Sequence, residues 1–188
     1  KGLNISLDTL DREKFFSITK RDHFDTVWDN ILLMVREGFD VKVNIVLMKN
    51  VNDAEVSRFI ELTKELALHV RLIEFMPFDK NGWDKSKVIS FSEIMEKLYQ
   101  DYDIIKLLDE KHETAKKFKV AGYKGTFAFI TTMSQPFCAD CNRLRLTADG
   151  KIKNCLFGKD ELDLLTLFRD GKNIESVIRE SVYNKHAE

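Results

Sequence analysis

Leu3-Asn4-Ile5-Ser6-Leu7-Asp8 sets the pattern that decides the fold, and Val41-Lys42-Val43-Asn44-Ile45-Val46-Leu47 repeats it. In both stretches apolar residues recur at every second position, the period of a strand with one buried face. Between them Phe24, Val27, Trp28, Ile31, Met34 and Val35 recur at three and four residues. That spacing predicts an amphipathic helix ending at Gly38. After the loop Lys49–Asn52, Asp53 is placed to cap a second helix, with Val56, Phe59, Ile60 and Leu66 as its apolar side. His69–Phe75 reads as a third strand. Strand, helix, strand, helix, strand is the βαβ arrangement of a parallel sheet.

The same alternation says where polar groups go. Asn4, Ser6, Lys42 and Asn44 share the face opposite the aliphatic residues, and Arg71 joins His69, Ile73 and Phe75 on one face of the third strand. Helices must cover the aliphatic side, so the polar side looks inward. A closed eight-stranded barrel fills its interior with branched apolar side chains. A polar interior instead suggests an open, incomplete barrel around a ligand; a solvent-facing sheet side is the plainer reading.

Residues 76–89 then form a polar loop, and Ser90–Tyr99 reads as a short helix. Shorter strands are expected at Tyr102–Leu107, Phe118–Val120, Thr126–Thr132, Asn142–Thr147 and Ile152–Leu156, with closing helices near 160–169 and 173–185. The Asp149-Gly150 pair marks a hairpin between the last two strands. The fold class expected is α/β: the C-terminal part of an incomplete (βα) TIM-type barrel over residues 1–78, followed by a small α+β cluster-binding region over 79–188.

The chain has 188 residues, 30 Lys and Arg against 31 Asp and Glu, and a net charge of -1. So even a balance argues against a nucleic-acid tail or a polybasic membrane anchor. No stretch approaches the roughly 20 apolar residues of a membrane span, and no signal-peptide profile is present. A cytoplasmic protein without nucleic-acid or membrane partners is expected. The absence of a starting Met and the entry straight into a strand read as a fragment of a longer protein.

Three cysteines remain, an odd number that a disulfide framework cannot use completely. Cys138 and Cys141 are separated by two residues, and Cys155 follows after thirteen intervening residues, across the hairpin. The spacing brings three thiolates together without ordering a long loop. Structural zinc takes four ligands, and no fourth cysteine exists; three thiolates suit a [4Fe-4S] cluster with one iron left open. Both metals stay on the table from chemistry alone. Beside the cysteines, Arg143 and Arg145 stand one pleat apart, able to grip a polyphosphate or carboxylates through paired hydrogen bonds. Two surface arginines paired with nearby acids is the competing reading. No GxxxxGK[ST] loop occurs, so any phosphate site must be built from side chains.

The run Phe137-Cys138-Ala139-Asp140-Cys141-Asn142-Arg143-Leu144-Arg145-Leu146-Thr147-Ala148-Asp149-Gly150, ending in Cys155-Leu156-Phe157-Gly158, resembles the second-cluster segment of the MoaA family of GTP 3',8-cyclases. These are radical S-adenosylmethionine enzymes of molybdenum cofactor biosynthesis. Asn4-Ile5-Ser6-Leu7-Asp8-Thr9-Leu10, Lys42-Val43-Asn44, Val51-Asn52-Asp53, Arg71-Leu72-Ile73-Glu74-Phe75-Met76-Pro77 and Phe129-Ile130-Thr131 are similar to it too, in order along nearly the whole chain.

The resemblance implies a second [4Fe-4S] cluster on Cys138, Cys141 and Cys155, its open iron binding guanine. It implies GTP contacts from Lys42, Arg143, Leu144 and Arg145, with Arg71 a weaker candidate. Ser6 and Met76 match positions that contact S-adenosylmethionine; ordinary strand-end packing is what the residues alone would suggest there. It further implies cyclic pyranopterin monophosphate synthase as the downstream partner, and a homodimer is compatible with it. The departures count as well. No CxxxCxxC for a first, radical-generating cluster occurs in the chain, and no Gly-Gly tail follows His186-Ala187-Glu188. No catalytic residue is therefore expected in this stretch, which should not cyclise GTP by itself. A zinc- or cluster-bearing binding module, and a different radical enzyme with an auxiliary cluster, are the alternatives.

Overall fold

A computed structural model describes residues 1–78, 81–135, 141–158 and 160–185. These fall into two compact units, Lys1–Pro136 and Phe137–Glu188. Residue 78, the expected boundary, lies inside the first unit, because strands on both sides of it share one sheet.

In the first unit β1 (Gly2–Ser6), β2 (Asp40–Leu47) and β3 (Leu68–Glu74) pair in parallel, as the alternation predicts. The crossovers contain α2 (Phe24–Arg36) and α3 (Val56–Glu65). A helix not foreseen, α1 (Arg12–Thr19), precedes α2; Asp11 caps it by accepting from the Lys14 amide at 2.8 Å. Asp53 does not cap α3. That helix is entered through a 3-10 turn, Asp53–Glu55, with no side-chain cap on either element. The turn directs Glu55 inward, where its buried carboxylate accepts from the Thr9 hydroxyl at 2.9 Å, the Leu10 amide at 2.7 Å and Lys14 at 2.5 Å.

The sheet then grows on the other edge of β3. Helix α4 (Phe91–Asp101) begins with a reciprocal Ser90–Glu93 cap and leads to β4 (Ile104–Lys106), β5 (Ala115–Val120) and β6 (Thr126–Ile130). The order is β1-β2-β3-β6-β5-β4, with β6 parallel to β3 and the last two strands antiparallel. Phe118 stacks on Phe127 at 5.5 Å, and Phe91 of α4 meets Phe129 edge-on at 5.0 Å. Such aromatic pairs add to area burial and tie this end of the sheet to α4. Val41, Val43, Ile45, Leu47, Val70 and Leu72 form the core with Ile31, Phe59, Ile60, Ile94 and Leu98 from the helices. One face of the sheet is thus apolar and helix-covered; the other carries the polar residues.

The second unit contains β7 (Arg145–Leu146), β8 (Lys151–Lys153) and β9 (Leu162–Asp163), then α5 (Leu164–Arg169) and α6 (Ile174–Tyr183). The Asp149-Gly150 hairpin forms as predicted, joining β7 and β8, although both strands are shorter than expected and β9 was not foreseen. Gly150 takes φ +79°, and a Cβ there would sit 2.4 Å from the Leu165 side chain, so conformation and packing both demand glycine.

Candidate functional site

Register assembles the polar face of the first unit. Asn4, Lys42, His69 and Thr126 lie in one cross-strand row; Ser6, Asn44, Arg71 and Ala128 form another. The predicted common face of Asn4, Ser6, Lys42 and Asn44 is met, and the register adds Arg71 to it. Lys42 pairs with Asp40 at 3.1 Å, and the Arg71 guanidinium donates to the Asn4 amide oxygen at 3.1 Å. His69 bonds Thr126 at 2.6 Å. Burial, with Arg71, Lys42 and Lys117 adding like charge, pushes the His69 pKa down to about 4, so its ring is neutral at pH 7.

Among the described residues, two polar atoms of this face have no hydrogen-bond partner: the Asn44 Oδ1 and the Arg71 Nε, both buried. Buried polar groups are normally satisfied; the Arg71 Nε–H is a donor that an anionic oxygen could take, whereas the Asn44 Oδ1 calls for a donor.

The C-terminal end of β3 is held from three directions. Buried Glu74 accepts from the Met133 amide at 2.6 Å, from the Ser134 amide at 2.9 Å and from the Ser134 hydroxyl. The Trp83 indole donates to the Phe75 carbonyl at 3.0 Å, and the Asn81 amide donates to the Met76 carbonyl at 2.8 Å. The backbone of Met76 is therefore fixed, with its side chain half-buried. Asn52, fully buried, does the same for the ends of β1 and β2, donating to the Asp8 and Val46 carbonyls and accepting from the Met48 amide. None of Glu74, Trp83, Asn81 or Asn52 was singled out for such a role from the sequence. The signal available was only a polar residue at a strand end.

In the second unit Cys141 and Cys155 are both half-buried, while Cys138 lies outside the described residues. Among the described residues no three His, Cys, Asp or Glu side chains gather into a metal site. Arg145 sits in the ladder opposite Lys153. Arg143 lies before the ladder begins, and its backbone amide and guanidinium both bond Cys141. Burial pushes the Cys141 thiol up; the Arg143 bonds and charge, with Lys185, outweigh it and bring the pKa down to about 7. A substantial thiolate fraction at neutral pH is the form a metal requires, so the donor chemistry fits a thiolate-bound cluster. Leu144 and both arginines are exposed. Gly158 packs on the third ligand candidate: a Cβ there would lie 3.1 Å from the Cys155 Cβ.

Residues 68–188 match the family model described as Molybdenum Cofactor Synthesis C. The molybdenum cofactor biosynthesis protein moc-5 of Caenorhabditis elegans is 44% identical over 98% of this chain and 32% of its own length. A mitochondrial GTP 3',8-cyclase of Arabidopsis thaliana is 45% identical over 94% of this chain and 46% of its own. A GTP 3',8-cyclase of Thermodesulfovibrio yellowstonii is 41% identical, over 97% and 57% respectively. The chain thus spans between about a third and just over half of the length of these curated relatives.

Proposed function

The chain belongs to the Molybdenum Cofactor Synthesis C family, and on that premise we propose that it is the C-terminal portion of a GTP 3',8-cyclase, supplying the GTP-binding surface and the second-cluster cysteines. The observation that carries this reading is the polar sheet face: Lys42 and Arg71 in adjacent rows, with the buried Arg71 Nε–H a donor that no described residue takes. A triphosphate needs several cations, since leaving its charge unpaired costs far more than any packing returns.

In this reading Lys42 and, as a weaker candidate, Arg71 are the GTP contacts of the first unit, and Arg143, Leu144 and Arg145 are those of the second, the two guanidiniums being suited to phosphate. Arg143 has a double duty, because it also bonds Cys141. Cys138, Cys141 and Cys155 would hold a [4Fe-4S] cluster, with guanine at the iron they leave open. Ser6, at the end of β1, and Met76, after β3, would contact S-adenosylmethionine. When bound, S-adenosylmethionine and a first cluster supply the radical chemistry that joins the ribose C3' to guanine C8. The residues of this chain orient the nucleotide and neutralise its charge.

The parallel β1-β2-β3-β6 segment, polar on the face away from its helices, supports the reading of part of a (βα) barrel opened around a ligand. The division of labour in this proposal runs along the chain: residues 1–78 supply the radical-enzyme barrel strands β1–β3, and 79–188 add β4–β6 to the same sheet and bring in the second cluster. Among the described residues no helix is long and apolar enough to cross a membrane. A cytoplasmic location is part of the proposal, and the mitochondrial name of the plant relative supplies the alternative; cell fractionation separates them. Cyclic pyranopterin monophosphate synthase as successor enzyme and a homodimeric assembly complete it.

Anaerobic reconstitution tests the proposal. About four irons per chain, with a charge-transfer spectrum that GTP perturbs, are expected of three cysteine ligands and one open iron. One tightly bound zinc, or a cluster spectrum indifferent to GTP but altered by another substrate class, overturns it. Without a CxxxCxxC sequence the chain should not cyclise GTP when given S-adenosylmethionine and reductant; turnover would refute that part.

A further inference from the structure

The ladder between β7 and β8 is only two residue pairs long, Arg145 with Lys153 and Leu146 with Ile152. It therefore stops short of the cysteines, which lie farther out on both arms. Beyond the ladder Lys185, just past the end of α6, spans the arms. Its ammonium donates to the Arg143 carbonyl and, at 2.8 Å, to the Asn154 carbonyl. Arg143 is two residues after Cys141, and Asn154 immediately precedes Cys155.

Asn154 reciprocates. Its side-chain amide donates to the Ser181 carbonyl at 3.2 Å and to the Asn184 carbonyl at 3.4 Å. Helix C-termini leave carbonyls unpaired and favour a positive charge nearby, so α6 gains from the same contacts that hold the hairpin.

We infer that Lys185 is a positioning residue for the cysteine-bearing hairpin, holding the two arms at the separation that lets Cys141 and Cys155 serve one metal centre. Lysine suits the task. It carries three donors on a long stem, enough to reach two main-chain carbonyls at once. A methionine of similar length fills the space and holds neither arm. Groups that orient metal ligands from behind commonly matter as much as the ligands' own shape. The inference rests on the cluster reading above only for its metal; the clamp itself is a property of the polypeptide.

Hydrogen exchange on the metal-free chain tests the clamp directly. Lys185→Met should speed exchange of the amides in 141–145 and 153–156, while Lys185→Arg, which retains several donors, should stay near the parent. Lys172→Met is the control, an exposed lysine of the same unit whose ion pair is with Asp170 at 3.6 Å. After anaerobic reconstitution, iron release to a chelator should be about 10- to 100-fold faster in Lys185→Met, the usual cost of losing an outer-shell partner. Should Lys185→Met not fold, Lys185→Leu, which likewise carries no donor, is read in its place. Parent-like exchange and iron release in the folded variant overturn the inference. A parent chain that takes up no iron overturns the cluster reading instead, and the exchange experiment still decides the clamp.

Discussion

Replacing Glu74 tests whether the end of β3 is organised by its carboxylate. Glu74 is 3% exposed and receives the Met133 amide at 2.6 Å, the Ser134 amide at 2.9 Å and the Ser134 hydroxyl. Those donors belong to a tight segment that Thr131 also closes, its hydroxyl donating to the Gln135 carbonyl at 3.0 Å. Hydrogen bonds to a charged acceptor contribute about 1.5–3 kcal/mol each. Ser134 is exposed and its hydroxyl regains water in the variant, so only the two amides count in full. Partial hydration of those amides lowers the sum, and Glu74→Ala should cost about 2–4 kcal/mol. Glu74→Gln keeps one carbonyl acceptor but turns an amide nitrogen toward donors, so about half that loss is expected. Urea unfolding with hydrogen exchange at Met133 and Ser134 measures both. A loss below about 0.5 kcal/mol in Glu74→Ala, or unchanged exchange at both amides, refutes the reasoning.

Gly158→Ala places a methyl 3.1 Å from the Cys155 Cβ, and reconstituted protein should lose iron faster than the parent in a chelator assay. Lys42→Met and Arg71→Met should each weaken GTP binding about tenfold or more by titration calorimetry, the scale of one charge-assisted contact; unchanged affinity removes the sheet face from the site. The His69 pKa, depressed to about 4 by burial and by Arg71, Lys42 and Lys117, gives a pH signature. The unfolded chain takes up that proton first as pH falls, so stability is full above about 6.5 and declines toward pH 4. His69→Gln should flatten this slope, and denaturation midpoints at pH 7 and pH 5 that differ equally in both proteins would count against it.

The elements legible in the sequence are those whose period is set by burial. β2 alternates because Val41, Val43, Ile45 and Leu47 all enter one core, and α2 repeats at three and four because one face meets that core. α1 escaped because only Phe15 of its eight residues is buried, leaving no apolar stripe to read. Its start is instead fixed by a side-chain cap. Asp53 misled for a related reason: an acidic residue after a loop looks like a cap, yet the inward Glu55 network determines how α3 begins. β5 and β6 were found as separate short strands, while their union with β3 in one sheet depends on long-range pairing and a phenylalanine cluster.

The site divides along the same line. Asn4, Ser6, Lys42 and Asn44 were legible as companions because alternation alone puts them on one side of a parallel sheet, whereas Arg71, on a less regular strand, joins them through the register. Arg143 and Arg145 were read as an equivalent pair, but the ladder ends between them, which frees Arg143 to turn its guanidinium and its amide to Cys141. Arg143 then answers to the thiolate and Arg145 does not, although both face an anion in the proposed complex. Substituting Arg143 should therefore disturb both metal retention and nucleotide binding, whereas substituting Arg145 should touch nucleotide binding alone. The roles of Glu74, Asn52 and Lys185 escaped because each binds main-chain groups, at least one of them far along the chain. A main-chain donor or acceptor leaves no trace in residue identity, so such contacts become visible only when the backbone itself is placed.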